Sequence, residues 1–556
     1  MRLFTRRCKR KQISYRLKIY ITALFATCFP PFSLRADQRD NPDPIPGWTH
    51  STELNRDTPK RHGLLLNGGD VTFSSPVIAD IDGDPSNGLE VAVGGADGVL
   101  HAYKANGELL WNVQLPNASC RQASSINKLL SSPAVGVLKG DGMPHVIVGY
   151  GGVGGSACGG GVVAVRGSDG QTVWHFDLKK FAKKERFGSI SHAVFSSPAV
   201  ADVDGDGKLE VGFGSFDRNV YLLNHDGSVR WYYNAADTIW SSPAFADIDN
   251  DSKLEMIIGT DISANSRLRP PTKNGGYVYA FDTSDRKGKR IFFRDRSISK
   301  WQTYFDQVIY SSPIIADVLP DSPGEEVLVG SGCFFPQRGR KKKGRWVKVM
   351  RLKDGKVLRT LPTAGCSSSS PAVGDIDDDG VLEVVATVNG DKSIGGDGKS
   401  RIMAFKAASS SLLWSIIPTE RGRNDPWGGN FQSPVVADLD GNGSLEVLVA
   451  NGASVGIYSG RDGFPLTCQD SSCTNPYMLY AFDTLRSTPA VGDVNNDGQL
   501  DVVIAGGHTS SGGLGVLYGW TNFGDVLQSS PGLQAPLSVP WQMFRGNSGR
   551  TAKYRN

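Results

Sequence analysis

The chain has 556 residues, and its 60 Lys and Arg against 56 Asp and Glu give a formal net charge of +4. Nine of the basic residues and none of the acidic ones lie in residues 1–36, which leaves 51 basic against 56 acidic residues in the rest of the chain. A nucleic-acid-binding surface depends on an excess of positive charge. Beyond residue 36 the composition excludes a predominantly basic protein, and we expect no nucleic-acid partner.

Residues 1–36 have the organisation of a secretory signal. A basic leader runs from Arg2 to Lys18, and an apolar stretch of sixteen residues follows at 19–34. Sixteen helical residues span about 24 Å, less than a bilayer core of about 30 Å. Together with the small residue Ala36, this pattern predicts a cleaved signal and a secreted or periplasmic protein with no membrane span after cleavage. The alternative is an N-terminal anchor that is retained.

The phrase Ser-Ser-Pro, or a close variant, recurs eight times with no linker between the copies. Its prolines are Pro76, Pro133, Pro198, Pro243, Pro313, Pro371, Pro434 and Pro489. Regular spacing of this kind is typical of a closed repeat array. We assign residues 71–530 to a propeller of eight repeats, 37–70 to an N-terminal segment and 531–556 to a C-terminal tail. Ring closure is expected to borrow a strand from residues 46–73 or from the tail around 541–544.

The third repeat is the most compact and predicts four short strands. They cover residues 198–203, 210–214, 219–223 and 229–233. Val, Phe, Tyr and Trp fill these runs, and turns rich in Asp and Gly separate them. Four antiparallel strands per repeat are typical of a propeller blade. The predicted fold is an all-β propeller of about eight four-stranded blades, with seven as the alternative count. A solenoid is the competing architecture, but its units are usually shorter and need terminal caps.

Between the first and second strands, six repeats carry acids at alternating positions. A Ca²⁺ ion takes about six to eight oxygen ligands at about 2.3–2.6 Å, and a curled loop can bring such carboxylates together. Calcium, as several structural ions, is therefore the predicted cofactor. The predicted ligands, with Lys208 acting through its main-chain carbonyl, are Asp80, Asp82, Asp84, Glu90, Asp202, Asp204, Asp206, Lys208, Glu210, Asp247, Asp249, Asp251, Glu255, Asp375, Asp377, Asp379, Glu383, Asp438, Asp440, Asn442, Glu446, Asp493, Asn495, Asp497 and Asp501.

The second and fifth repeats lack this pattern. Residues 137–141 read Val-Leu-Lys-Gly-Asp, and residues 317–321 read Asp-Val-Leu-Pro-Asp. Neither sequence supplies the same set of ligands. An EF-hand is excluded because no helical pattern flanks the loops and the closing acid comes too early after the first aspartate.

The phrase at residues 196–211, SSPAVADVDGDGKLEV, resembles the FG-GAP/VCBS repeat, which is similar to the repeat in the head of integrin α subunits. The resemblance covers roughly residues 70–525 and implies a β-propeller with structural calcium in the six matching loops. The back halves of several repeats, such as residues 102–111 and 164–174, resemble the tryptophan-docking repeat of quinoproteins. Tryptophans in this stripe, at 111, 174, 231 and 414, are expected to pack on the neighbouring blade. The adjacent cysteines typical of quinoprotein dehydrogenases do not occur, so a quinone cofactor is not expected.

The long connections are expected on the face opposite the calcium loops. Binding sites concentrate in long loops that a rigid scaffold holds. Aromatic rings beside basic groups can stack sugars and hold carboxylates or sulfates. A solvated hairpin tip for the basic run, and a structural role for the histidine, stay open as alternatives. The candidate surface comprises Arg121, His192, Trp240, Trp301, Tyr310, Arg338, Arg340, Lys341, Lys342, Lys343, Arg345 and Trp427.

Six cysteines remain when residues 1–36 are removed, and all of them fall in long connections. Three disulfides are the preferred arrangement among the 15 pairings that six cysteines allow. Disulfides suit an oxidising compartment. The preferred pairs are Cys120–Cys158, Cys333–Cys366 and Cys468–Cys473.

The combined patterns predict an exported recognition or adhesion module, monomeric, whose partner is an extracellular or periplasmic glycan or protein. The alternative is a polysaccharide-acting enzyme, such as a lyase, on the same scaffold. The acids lie mainly in the calcium loops, and no nucleophile–His–Asp arrangement can be identified, so no catalytic residue is assigned. A quinone-dependent oxidoreductase is the least favoured class.

Overall fold

Eight small antiparallel sheets follow one another along the chain, as the repeats predict. The computed structural model describes residues 42–50, 61–66, 71, 73–116, 129–152, 159–185, 191–335, 344–390, 397–418, 432–466, 479–481, 484–507, 515–527 and 547. Each sheet is one blade, and the first strands of successive blades lie side by side around the centre. The prediction of an eight-bladed, all-β propeller is confirmed.

Within each blade the strands pair in chain order, from the centre outward. Blades 1 to 4 consist of Val77–Ala79, Glu90–Gly94, Val99–Tyr103 and Leu109–Gln114; Ala134–Gly136, His145–Gly151, Gly160–Arg166 and Thr172–Asp177; Ala199–Ala201, Glu210–Gly214, Asn219–Leu223 and Val229–Asn234; and Ala244–Ala246, Glu255–Ile262, Gly275–Phe281 and Ser299–Phe305. Blades 5 to 8 consist of Ile314–Ala316, Glu326–Gly330, Trp346–Arg351 and Val357–Pro362; Ala372–Gly374, Glu383–Val388, Arg401–Lys406 and Ser411–Ile416; Val435–Ala437, Glu446–Asn451, Ser454–Ser459 and Leu479–Tyr480; and Ala490–Gly492, Asp501–Gly507, Gly515–Thr521 and Leu64–Leu66.

A few short elements decorate the blades. In blade 3, Lys289–Ile291 adds a fifth strand parallel to the outer one, and the connection after blade 2 contains a helix, Leu178–Glu185. The remaining elements are the strands Asp43–Pro44, Thr49–His50, Arg61–His62 and Thr484–Leu485, the 3-10 turn Pro85–Asn87 and the helix Phe523–Leu527. None of the helices in the described part of the chain is both long enough and apolar enough to span a membrane.

The two serines of the repeated Ser-Ser-Pro phrase have different structural roles. The first accepts a hydrogen bond from the second strand of its own blade, as Ser196 Oγ does from Gly214 N at 3.0 Å. The second accepts from the preceding blade, as Ser197 Oγ does from Ser132 N at 2.9 Å. The proline then directly precedes the first strand, where its missing N–H is not needed.

The inter-blade hydrogen bonds form a closed ring around the centre. Eight of them link each blade to the next, and the last, from Thr488 N to Ser75 Oγ at 3.0 Å, joins blade 8 to blade 1. The other seven run from Ser75, Ser132, Ser197, Ser242, Ser312, Ser370 and Ser433 to the following hydroxyl. The repeated phrase is thus the sequence signature of this ring.

Thr488→Val is expected to destabilise the protein more than Thr488→Ser. Valine keeps the shape of threonine but removes the oxygen that accepts from Ser433 N at 3.0 Å. A buried N–H left without an acceptor costs about 1–3 kcal/mol. Serine keeps the hydroxyl and restores the residue that the other seven blades use. Urea denaturation of both variants measures the difference, and equal losses would show that the ring contributes little.

Tryptophans on the outer strands of blades 1, 2, 4 and 6 fasten these blades to the next one. Trp111 Nε1 donates to Gly167 O of blade 2 at 2.6 Å, and its ring lies against the Cα of Gly170, where a side chain would clash. Gly170 has φ +71°, a conformation that favours glycine. Trp174, Trp301 and Trp414 make the same contacts, with Gly227, Gly355 and Gly463 under their rings. Trp231 is fully buried and its ring centroid lies 5.6 Å from that of Phe281 in blade 4, so the expected packing role is observed.

The N-terminal segment completes blade 8. Leu64–Leu66 pairs with Gly515–Leu517 as the outer strand, so the first of the two segments considered for closure supplies a strand, whereas residues 541–544 lie outside the described residues. Trp48 then takes the place of the docking tryptophan: its Nε1 donates to Ala105 O of blade 1 at 2.8 Å, and its ring contacts Gly107. Residues 42–50 and 61–66 therefore join the last blade to the first.

Candidate functional site

Every predicted metal loop ends on a buried acid at the start of the second strand. Glu90 is fully buried, and its Oε2 accepts hydrogen bonds from Ile81 N at 2.8 Å and Asp82 N at 3.2 Å. The same bond recurs from Val203 to Glu210, Ile248 to Glu255, Val318 to Glu326, Ile376 to Glu383, Leu439 to Glu446 and Val494 to Asp501. One oxygen of the closing acid holds the loop, and the other remains for a second partner.

The first aspartate of each loop holds the chain in a curl. Asp202 accepts from the backbone N–H groups of Gly205, Asp206 and Gly207 at 2.7, 3.1 and 2.9 Å. The two glycines have φ +77° and +80°, which a side chain would strain. The curl directs the remaining carboxylates of the loop toward one point, as the sequence predicts.

In five of the six predicted loops, three acids converge. One carboxylate oxygen from each lies within 4.8 Å of the other two. The groups are Asp80, Asp82 and Glu90; Asp202, Asp204 and Asp206; Asp247, Asp249 and Asp251; Asp375, Asp377 and Glu383; and Asp438, Asp440 and Glu446. Carboxylates this close repel one another unless a cation or a proton intervenes.

Several of these oxygens lack a hydrogen-bond partner within the described residues. Glu90 Oε1 and Asp377 Oδ1 are buried and unpaired, and so is Asp501 Oδ1 in the loop of blade 8, which is not one of the five groups. Burial, followed by repulsion from Asp440, raises the pKa of Glu446 to about 9. Burial, followed by repulsion from Asp377, raises the pKa of Glu383 to about 8. A hard divalent cation would supply the missing partner and keep these acids ionised, so the donor sets fit Ca²⁺.

Other predicted ligands make contacts within their own loops. Asp84 accepts from Ser86 N and Oγ at 3.1 and 2.5 Å and caps the turn that follows. Asn442 donates its amide to Asp440 at 3.1 Å, and Lys208 Nζ lies 3.5 Å from Asp206. In blade 8 the curl is present, because Asp493 accepts from Asp497 N at 3.0 Å and Gly498 N at 2.9 Å, and Asn495 donates to Asp497 at 2.9 Å.

Blades 2 and 5 differ at the loop in distinct ways. In blade 2 the closing position is taken by His145, which pairs with Gly136. In blade 5 the closing acid, Glu326, is kept and buried, and burial raises its pKa to about 7. Among the described residues its loop does not provide a group of three convergent acids. The closing acid therefore has a structural role that does not depend on metal.

At the opposite end of the blades, aromatic residues surround the mouth of the central channel. They directly precede the Ser-Ser pair on blades 1, 3, 4 and 5: Phe73, Phe195, Trp240 and Tyr310. The Trp240 ring centroid lies 4.9 Å from that of Phe195 and 5.2 Å from that of Tyr310. With serines of the hydrogen-bonded ring they line a cavity of ≈ 80 Å³. A single water needs about 10–15 Å³ on this measure, so the cavity has room for a small chemical group.

Two acids interact electrostatically with this aromatic cluster. Asp261 is 5 % exposed; its Oδ2 accepts from Thr238 Oγ1 at 3.4 Å, and its Oδ1 has no partner within the described residues. Burial, followed by repulsion from Asp237, raises the pKa of Asp261 well above its usual range. Burial, followed by the charge of Asp261, likewise raises the pKa of Tyr310. In its protonated form, which this shift favours, Asp261 would be a hydrogen-bond donor to a ligand.

The candidate surface is thus only partly brought together. Trp240 and Tyr310 meet at the mouth of the channel. Trp301 does not lie there, because it is the docking tryptophan between blades 4 and 5. His192 is buried next to Gly160, and the side chain of Arg345 is half-buried. Positions 121, 338, 340 to 343 and 427 lie outside the described residues.

The disulfide predicted between Cys333 and Cys366 is present, with a Cα–Cα distance of 5.8 Å. It ties the loop after the second strand of blade 5 to the connection that leads into blade 6. Cys120, Cys158, Cys468 and Cys473 lie outside the described residues, so the other two pairs stay predictions.

The fold and the acidic loops define an eight-bladed β-propeller built from loop-bearing repeats. The family model of the FG-GAP-like repeat matches residues 202–258 and 438–504. The first match runs from the loop of blade 3 to the second strand of blade 4, and the other spans the equivalent parts of blades 7 and 8. The chain therefore contains FG-GAP-like repeats, as the resemblance in the sequence predicts. No curated protein matches the sequence.

Solved structures of similar architecture include proteins of unrelated activity. The quinohemoprotein alcohol dehydrogenase ADHIIG from Pseudomonas putida HK5 aligns with a TM-score of 0.53 and 13% identity, covering 86% of this chain and 77% of its own. Sqt1 of Saccharomyces cerevisiae aligns with a TM-score of 0.50 and 11% identity, over 83% and 100% of the two chains. A rhamnogalacturonan lyase of Bacillus licheniformis aligns with a TM-score of 0.44 and 13% identity, covering 88% of this chain and 100% of its own. At these identities the likeness is one of fold alone.

Proposed function

We propose that this protein is an exported, calcium-stabilised recognition module that binds a glycan or protein partner at the mouth of its central channel. The observation that carries the proposal is the cluster of Phe195, Trp240 and Tyr310 beside the buried Asp261. Aromatic faces stack on the apolar faces of sugars or of side chains, and a neighbouring polar group fixes the orientation of the ligand.

The scaffold supports this role because it is rigid where the aromatic residues are attached. Phe216 stacks on Phe195 at 4.6 Å and lies 4.7 Å from Trp240, which fixes both rings from behind. The second residue after each of these three rings is a serine of the closed ring of hydrogen bonds: Ser197, Ser242 and Ser312. A site that is already ordered before binding loses little conformational entropy when the ligand arrives.

Export and calcium are parts of the same proposal. The basic and apolar segments within residues 1–36 resemble a secretory signal, and the Cys333–Cys366 disulfide suits an oxidising compartment. Extracellular and periplasmic proteins can meet enough calcium to fill weak sites. The acidic loops would hold the ions on one face and leave the channel mouth on the other for recognition.

Trp240→Ala is expected to weaken ligand binding at least tenfold while the fold is retained. Central aromatic residues typically contribute more than about 1 kcal/mol to binding when they fill a pocket. The test is a glycan array, together with a pull-down of extracellular proteins, using wild type, Trp240→Ala and Phe292→Ala. Phe292 is the control because it is an exposed aromatic residue that directly follows the outermost strand of blade 3, away from the central channel. Empty arrays and pull-downs with wild type, or equal binding by all three proteins, would contradict the proposal.

A second candidate function is a polysaccharide lyase at the same mouth. It is favoured by Asp261, because a raised pKa favours the protonated form that a general acid requires. Incubation with acidic polysaccharides should then release unsaturated products, and Asp261→Asn should abolish that release. Binding without product release would leave the recognition module as the function.

A further inference from the structure

The outer strands share a bulge that brings one residue close to the metal loop. In six blades the register between the third and fourth strands shifts by one residue. The skipped residues are Leu110, Val173, Arg230, Lys300, Leu358 and Leu413. Four of these side chains are apolar, whereas those of blades 3 and 4 are cationic.

In blade 3, Arg230 occupies the place between two predicted calcium ligands. Its Nη2 lies 2.5 Å from Asp204 Oδ2 and its Nη1 lies 3.2 Å from Glu210 Oε1. Its Nε donates to Thr283 O at 2.7 Å, which fixes the plane of the guanidinium. The arginine side chain is only 7 % exposed, so the pair is held away from solvent.

In blade 4, Lys300 makes the same pair of contacts. Its Nζ lies 2.7 Å from Asp249 Oδ2 and 3.3 Å from Glu255 Oε1. Asp249 and Glu255 are the counterparts of Asp204 and Glu210 in the repeat. Two different cationic residues at one bulge position therefore contact the same two positions of the loop.

The acids converge differently in the blades with a cationic bulge residue and in the blades without one. In blades 1, 6 and 7 the closing glutamate belongs to the group of convergent acids. In blades 3 and 4 the convergent group contains three aspartates without the closing glutamate, which is paired with the bulge cation. A second positive ion placed among the same carboxylates would be repelled by the cation already there.

Blade 6 shows that a lysine near the loop does not by itself take the place of a metal ion. Lys406 Nζ contacts Asp377 Oδ2 at 2.6 Å and Asp379 Oδ2 at 2.7 Å, which are two aspartates of the loop rather than an aspartate and the closing glutamate. It leaves Asp377 Oδ1 unpaired within the described residues and leaves Glu383 in the convergent group. The acids that face inward in blade 6 thus remain for a metal ion.

We propose that Arg230 and Lys300 are built-in cations that replace calcium in blades 3 and 4, so that divalent ions are confined to blades 1, 6, 7 and 8. The inference rests on the calcium binding proposed above and assigns it unequally around the ring. The protein would bind four ions in six acidic loops, and two loops would be independent of calcium.

The test is the number of calcium ions bound by the mature protein, measured by calorimetric titration and by metal analysis after dialysis. The wild type is expected to bind four ions. Arg230→Leu and Lys300→Leu place the leucine of blades 1, 5 and 6 at the bulge, and each should bind one additional ion. Leu110→Lys makes the reverse change in blade 1 and should bind one ion fewer.

Thermal unfolding provides a second readout if Arg230→Leu folds poorly. Removal of the buried cation should lower the melting temperature in EDTA, and excess calcium should restore it, whereas wild-type blades 3 and 4 gain nothing from calcium. Lys300→Leu, at a more exposed site, is the milder variant. Six ions in the wild type, or unchanged stoichiometry in the leucine variants, would overturn this inference and leave calcium binding intact. Absence of calcium from every variant would overturn it together with the calcium part of the proposed function.

Discussion

Removal of the chain up to residue 70 is expected to abolish cooperative folding of the ring. The deletion takes away Leu64–Leu66, the outer strand of blade 8, and exposes the edge of Gly515–Leu517. It also removes Trp48, which is fully buried and donates to Ala105 O of blade 1. An open edge with unpaired backbone groups favours association with other chains. Differential scanning calorimetry should show a broad or absent transition, with aggregation.

The matched control is a chain that begins at residue 42, which retains the closing strand and Trp48. It should unfold with the same midpoint as the mature protein. Trp48→Ala in the intact chain isolates the docking contact and should cost about 3–5 kcal/mol, the usual range for a buried tryptophan. If the shortened chain that begins at residue 71 melts like the control, the N-terminal segment does not close the ring.

Chelation is expected to produce the second large effect, a marked fall in the melting temperature. A ligand that binds only the folded state at about a hundred times its Kd stabilises it by about 2.7 kcal/mol. Four such ions together would contribute about 11 kcal/mol by that relation, comparable with the whole stability of a typical domain of about 5–15 kcal/mol. The measurement is thermal unfolding in EDTA and in millimolar calcium.

Magnesium should restore less stability than calcium, because the smaller ion prefers strict octahedral geometry and gives up its waters reluctantly. Glu90→Gln is the single-site version of the experiment: it keeps the closing residue in shape and removes one charge from a convergent group. It should lose one bound ion, with a smaller fall in melting temperature. Identical melting curves in EDTA and calcium would contradict structural calcium altogether.

The blades could be predicted in detail from sequence because their boundaries are encoded locally. In blade 3 the predicted strands at 210–214 and 219–223 coincide with those observed, and the first strand is shorter, at Ala199–Ala201. Turns rich in Asp and Gly separate short apolar runs, so each strand has a clear start and stop. The curl of the acidic loops was predictable for the same reason, since its hydrogen bonds join residues three to five apart.

Contacts between distant residues were not accessible to the same reasoning. Trp301 was placed on the binding surface because the seventeen residues between the third and fourth strands of blade 4 hide its position in the repeat. Trp48 was missed because its partner, Ala105, belongs to the first blade while its strand belongs to the last. The helix at Leu178–Glu185 lies in a connection with no repeat pattern to compare.

The amino-acid sequence by itself determined the eight repeats, the four short strands of a typical repeat and the six loops that curl around clustered acids, because each depends on neighbours along the chain. Only the tertiary structure decided how the ring closes, which serines and aromatic rings meet at the channel mouth, and which acidic loops already contain an internal cation. Those features depend on which residues are brought together by the circular arrangement of the blades and by the register of a bulge. The distance between two residues along the sequence does not predict such contacts.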